Sequence, residues 1–189
     1  MRLVLVLTLA GLLLCGCAVG AESSAHVIDH QLVPQGLMAR PSSSPAPGPA
    51  GTIDNVTLYL VLGQDLVAVD RAARSPVSLS TVLRELARGP TTSEQVKGVQ
   101  SPLSTTGPLT LRSLVKGDAS VDLRDDFTNL GGQDQILAAA QLVYTATAFP
   151  GVDHVTILVN GQIAAVPTVT GSLSSSPLRR ADYSALAPR

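Results

Sequence analysis

Asp122, Asp125 and Asp126 form the one acidic cluster in the patterned part of this 189-residue chain. Paired carboxylates can serve as acid and base in the cleavage of a sugar bond, and a cell-wall polymer would be the natural substrate. The same residues also have an ordinary reading. Asp122 alternates with Val121 and Leu123, which points its side chain away from the buried face of a strand. Asp125 and Asp126 stand where a loop needs turn and cap residues. His154 is the single histidine of this region, so a Ser-His-Asp triad would have to recruit it, yet no G-x-S-x-G elbow accompanies it. His26 and His30, with Asp29 beside them, have the i, i+4 spacing of a helical metal site, but nothing nearby starts a helix. Gly131-Gly132 precedes a helical pattern and could cradle an anion, or could simply be a flexible start to that helix. The reading adopted is non-catalytic, with no metal and no cofactor. The alternative is a peptidoglycan-active hydrolase built on Asp122, Asp125 and Asp126.

The remaining reactive groups are the only two thiols, Cys15 and Cys17, at the end of an apolar run. Residues 1–16 open with one positive charge, Arg2, and run apolar from Leu3 to Leu14 with Thr8 and Gly11 interrupting. That is the build of a secretory signal, and it is shorter than the roughly 20 residues a permanent membrane helix needs. Leu14-Cys15-Gly16-Cys17 resembles the bacterial lipobox, in which a leucine and two small residues precede the lipidated cysteine. Cys17 then takes a diacylglyceryl thioether and becomes the mature N-terminus, while Cys15 leaves with the signal. Cys15 stands where the motif prefers alanine or serine. A metal site is the poorer reading, because C-x-C offers two thiolates and no other cysteine exists to complete a tetrahedron. A disulfide across one intervening residue would be strained. With both thiols accounted for, the folded part must be stable through its core alone.

These groups need a scaffold, and composition divides the chain into a tether and a domain. Residues 17–52 include "RPSSSPAPGPAGT", a Pro-, Ser- and Ala-rich stretch without periodicity, read as a stalk that holds the domain off the membrane. Asn55-Val56-Thr57 matches a glycosylation sequon, a match taken as fortuitous in a bacterial envelope protein. Thirteen basic and fourteen acidic residues, with five aromatics, leave no electrostatic footprint for nucleic acid.

Within residues 53–167 the pattern is clearer. "NVTLYLVLG" and "DLVAVDR" alternate as two strands around Gly63-Gln64. Ser75-Pro76 is expected to open a helix, whose stripe is Leu79, Val82, Leu83 and Leu86 and whose stop is Gly89-Pro90. Thr91 and Glu94 are spaced as a capping box for a short second helix. "LTLRSLV" and "ASVDL" form a hairpin across Gly117-Asp118. A helix follows from Gln133 to Ala148, with Ile136, Leu137, Ala140, Val143, Tyr144 and Thr147 on one face. "HVTILV" and "QIAAV" flank the hairpin turn Asn160-Gly161. The order ββα(α)ββαββ argues for an α+β fold, a mostly antiparallel sheet in one layer and two main helices in the other. Tyr59, Tyr144, Phe127 and Phe149 read as core anchors. Residues 168–189 read as a flexible tail.

Four pieces in this order, "VLRELARGPTTSEQVKGVQSPL", "VDLRDDF", "GG" and "AQLVYTATAFPGVDHVTILVNGQ", resemble the GerMN domain family. The resemblance covers about residues 53–167, with Arg124 in place of the small residue that usually follows V-D-L. It implies a secreted or lipid-anchored protein of the bacterial envelope, linked to sporulation, germination or envelope signalling, and with the lipobox reading the chain is expected on the extracytoplasmic face of the cell membrane. The domain would bind or assemble with an envelope protein or peptidoglycan. It transfers no catalytic residue, and the only non-protein group implied is the acyl lipid on Cys17.

Overall fold

The computed structural model describes residues 52–188. Cys15, Cys17, His26, Asp29, His30 and most of the expected stalk lie outside that range. The alternation at the start of the domain becomes strand β1, Ile53–Leu62, paired antiparallel and in unbroken register with β2, Asp65–Arg74. Even-numbered Val56, Leu58 and Leu60 turn inward to the core. The turn between them uses Gly63 at φ +68°, a region open to glycine.

The first helix begins later than the sequence suggests. Helix α1 spans Leu79–Arg88, and its N-cap is Ser78, whose Oγ accepts the Thr81 N–H at 3.2 Å. Ser75 instead prolongs the hairpin, its N–H donating to the Thr52 carbonyl at 2.8 Å. Both serines are acceptable caps locally, so the choice falls to the residue that the strand leaves free. The expected stripe is correct: Leu79, Val82, Leu83 and Leu86 are all buried. Gly89 then ends the helix at φ +73°, and a Cβ there would lie 2.8 Å from Ser104 Cβ. The short helix α2, Thr92–Val96, carries the expected capping box, with Glu94 accepting the Thr91 N–H at 2.8 Å. Strand β3, Val99–Gln100, pairs with Val61 and Leu62 to complete the three-stranded sheet β2-β1-β3.

A second sheet has the order β4-β5-β6-β7, from Thr110–Val115, Asp118–Leu123, His154–Val159 and Gln162–Ile163. The hairpins β4-β5 and β6-β7 are antiparallel, but β5 and β6 run parallel. Their connection holds helix α3, Gly132–Ala146, and is long enough for the crossover that parallel strands require. The fold is α+β and rich in antiparallel pairs, divided between two main sheets rather than gathered in one.

Helix α3 is also more central than a one-sided helix layer would make it. All ten residues from Leu137 to Ala146 are buried, and the helix packs against α1, β1 and β6. Two of those residues are polar. Thr145 Oγ1 accepts the Tyr59 N–H at 2.9 Å, and Gln141 Nε2 donates to the Tyr59 carbonyl at 3.3 Å. One turn of helix thus does for β1 what a neighbouring strand would do.

The expected loose tail is packed. Strands β8, Val166–Pro167, and β9, Leu173–Ser174, pair with each other. Leu178 exchanges backbone hydrogen bonds with Val155 at 2.8 and 2.9 Å. A 3-10 stretch, Arg180–Leu186, then buries Tyr183 completely, with its hydroxyl donating to the Pro167 carbonyl at 3.0 Å. Tyr183 and Leu186 share an i, i+3 spacing, but a single such pair in a short polar segment is too little periodicity to mark it as core.

Candidate binding groove

The acidic cluster is built into the frame of the second sheet. Asp122 is 7% exposed, contrary to the outward position that alternation assigned it. Its Oδ1 accepts the Gly161 N–H at 2.8 Å and its Oδ2 accepts Arg112 Nε at 3.0 Å. The Gly161 N–H, then Arg112, lower its pKa below the ordinary carboxylate value. A carboxylate held ionised in this way is a poor proton donor. Asp125 accepts from the Asn160 side chain, so both acids clasp the β6-β7 turn. Asp126 is exposed. The three do not meet around a cleft.

His154 begins β6 opposite Asp118, and its Nδ1 is buried without a hydrogen-bond partner among the described residues. The Asp118 carboxylate instead accepts the Thr156 hydroxyl at 2.9 Å. Gly131 is the N-cap of α3, and a Cβ on it or on Gly132 would meet nothing within 4 Å. Neither glycine is demanded by packing. Among the described residues no His, Cys, Asp and Glu group has the arrangement to hold a metal ion, and no helix is long and apolar enough to cross a membrane.

Of the four aromatics singled out in the sequence, Phe127 is buried core. Tyr59 and Tyr144 pack with ring centroids 5.4 Å apart, and the Arg180 guanidinium lies over both, at 5.3 and 5.1 Å. Arg180 is fixed there by hydrogen bonds to Thr147 Oγ1 at 2.7 Å and the Tyr144 carbonyl at 2.9 Å. Burial raises the Tyr144 pKa. Phe149 is half-buried and lines a groove.

That groove has a volume of about 630 Å³. One wall is Asp54–Thr57 of β1. The opposite wall is Thr145, Ala148, Phe149 and Pro150 at the end of α3, and Ser75–Val77 with Val82 of α1 close the third side. The β1 register fixes what its backbone presents. In an antiparallel strand, residues two apart turn their N–H and C=O groups to the same side. Tyr59 turns both away from β2, toward Thr145 and Gln141, and Val61 turns its own toward β3. With no register shift in β1, Thr57 and Asn55 face the same way. Here α3 has ended and β3 does not reach, so their backbone groups look into the groove without a partner among the described residues. Among the described residues that line it, Asp54 is the only ionisable one. Strand periodicity located β1, but which stretch of its edge stays open depends on where α3 stops, and no local signal carries that.

The sequence profile of the Germane family, described as sporulation and spore germination, matches residues 57–164, more than half of the chain. Solved structures align with the chain at low identity. The tandem GerMN domains of the sporulation protein GerM from Bacillus subtilis align at 22% identity and TM-score 0.50, over 69% of this chain and 48% of theirs. The chain therefore spans about half the length of that tandem structure. The first GerMN domain of the same protein aligns at 22% identity and TM-score 0.49, over 68% of this chain and 98% of that one. A candidate lipoprotein from Clostridium perfringens aligns at 16% identity and TM-score 0.44, over 71% and 92%. At these identities the likeness is one of fold. No curated protein matches the sequence.

Proposed function

The chain belongs to the Germane family of sporulation and spore germination domains, and from that premise we propose that it is a non-catalytic envelope lipoprotein. Its domain is a binding or assembly module held at the membrane surface. Cys17 carries the diacylglyceryl and acyl chains, and residues 18–51 serve as the tether. Holding a domain near its partner raises the effective concentration of both, so a weak contact is occupied there. The observation that carries this reading is the contrast between the two polar regions of the domain. The carboxylates Asp122 and Asp125 are spent on clasping a turn, whereas the groove beside β1 offers backbone groups and an apolar floor that no described residue fills.

The test has two arms. Radiolabelled palmitate should enter the wild-type and Cys15→Ala proteins and be absent from Cys17→Ala, which accumulates as precursor. Asp125→Asn with Asp126→Asn, two exposed changes, should leave both the fold and the phenotype intact. Loss of phenotype in that double variant with an unchanged melt would favour the wall hydrolase. Label persisting in Cys17→Ala would remove the anchor.

A further inference from the structure

We propose that the groove beside β1 takes a single extended peptide segment of a partner protein, added as a strand to Asn55–Thr57, with a basic side chain of that segment against Asp54. The inference rests on the binding-module reading above and assigns it a site and a ligand chemistry.

The first support is backbone chemistry. An edge with unpaired N–H and C=O groups is a template for another chain, and proteins commonly guard such edges with charge or a bulge. The other long edges here are guarded in that way. β2 carries Asp65, Asp70, Arg71 and Arg74, and β4 has a register break between Leu111 and Ser113 at Arg112. The open stretch of β1, Asn55–Thr57, has an unbroken register and no charged side chain of its own, with the single charge of Asp54 just before it. Instead it is walled by Ala148, Phe149 and Pro150 on one side and Ser75–Val77 on another. Bounded by these walls and about 630 Å³ in volume, the groove is on the scale of a short extended segment rather than of a whole sheet edge.

The second support is the lining. Strand addition draws affinity from main-chain hydrogen bonds and specificity from pockets for alternate side chains. Val56 and Val82 are buried at the groove floor, with Val77 and Phe149 half-buried beside them, a surface suited to one aliphatic side chain. Asp54 is exposed and, among the described residues, has neither a salt bridge nor a side-chain hydrogen bond. As the only ionisable group among the described lining residues, it gives the groove a negative charge, which selects lysine or arginine rather than an acid in the incoming segment.

The experiment is a selection of random dodecapeptides displayed on phage against the full secreted chain, followed by synthesis of the enriched peptides. The expected peptides are extended, pair an aliphatic residue with lysine or arginine, and bind with a salt-sensitive Kd. N-methylation should weaken binding at least tenfold at alternate residues and leave the intervening ones within twofold, because only alternate N–H groups face β1. Ala148→Trp, at an exposed wall position, should fill the groove and weaken binding at least tenfold with an unchanged melt. Pro150→Arg provides an independent second variant, and Asp54→Asn should weaken basic peptides about threefold.

Failure to enrich any peptide overturns the proposal, as does binding indifferent to N-methylation or to both wall variants. Binding seen only after residues 18–51 are deleted would identify the chain's own tether as the occupant and overturn a partner in trans. Self-association abolished by Ala148→Trp would do the same in favour of a second copy. None of these outcomes bears on whether function needs the lipid, so this site can fail while the tethered-module reading stands.

Discussion

Replacing Gln141 with leucine keeps nearly the same volume in the core but removes the polar link between α3 and two backbone segments. In the native protein Gln141 is fully buried. Its Nε2 donates to the Tyr59 carbonyl at 3.3 Å and to Ser101 Oγ at 3.2 Å, and its Oε1 accepts the Leu103 N–H at 3.4 Å. These are long bonds, so each contributes at or below the ~1 kcal/mol of a typical one. The larger effect comes from what is left behind, because a buried group without a partner costs about 1–3 kcal/mol. Leucine leaves the Tyr59 carbonyl and the Leu103 N–H in that state, partly offset by its own apolar transfer, for a net loss of about 2–4 kcal/mol. Thr145→Val should cost about 1–3 kcal/mol by orphaning the Tyr59 N–H, while Thr145→Ser, which keeps the hydroxyl, should cost under about 1 kcal/mol. Urea unfolding followed by circular dichroism reads these directly. With a slope of about 1–2 kcal/mol/M, Gln141→Leu should lower the midpoint by roughly 2 M. A midpoint unchanged or raised in Gln141→Leu, or Thr145→Ser as damaging as Thr145→Val, would refute the idea that these side chains replace a strand.

Glu94 bonds to Arg71, and chiefly that contact lowers its pKa from 4.5 to about 2. A depressed folded-state pKa means stability that is present above the unfolded value and lost as pH falls. After allowance for solvent screening, Glu94→Gln should therefore cost about 1 kcal/mol at pH 7, with the difference from wild type vanishing as pH falls from about 4.5 to about 2 in a series of melts. Truncation after Ser176, which removes Leu178, Tyr183 and Leu186, should abolish the cooperative melt, whereas Tyr183→Phe should cost only about 1 kcal/mol for the lost bond to the Pro167 carbonyl. A truncated chain that still melts cooperatively would restore the tail to the status of an appendage.

The parts that were legible in the sequence are those whose cause is local. Alternation located β1 and β2, the stripe Leu79, Val82, Leu83 and Leu86 located the buried face of α1, and the spacing of Thr91 and Glu94 located a cap. What was missed depends on contacts between distant segments. Ser75 and Ser78 are equally good caps until the length of β2 decides between them. The run "LAAAQLVYTA" is apolar on almost every side, and a one-faced stripe underestimates how deeply such a helix is wrapped. Parallel pairing of β5 with β6 leaves no trace in either strand. Asp122 alternates as a surface residue should, yet Arg112 and Gly161 cover it from the neighbouring strand and turn. The groove follows the same rule, since Asn55 and Thr57 belong to a strand that periodicity marked correctly, and only the end of α3 leaves their edge open.

The central claim, that the domain acts by being held at the membrane surface beside a partner, is tested most directly by releasing it. The proposed lipobox Leu14-Cys15-Gly16-Cys17 would be exchanged for an ordinary signal-peptidase site, so that the same chain is secreted without lipid at an equal level, and complementation of a deletion strain measured. The account predicts that the released form folds with the wild-type melting curve and fails to complement, and that overexpression restores function in part by mass action. Full complementation at the native level by the released chain, together with turnover of wall fragments by the purified protein, would contradict it.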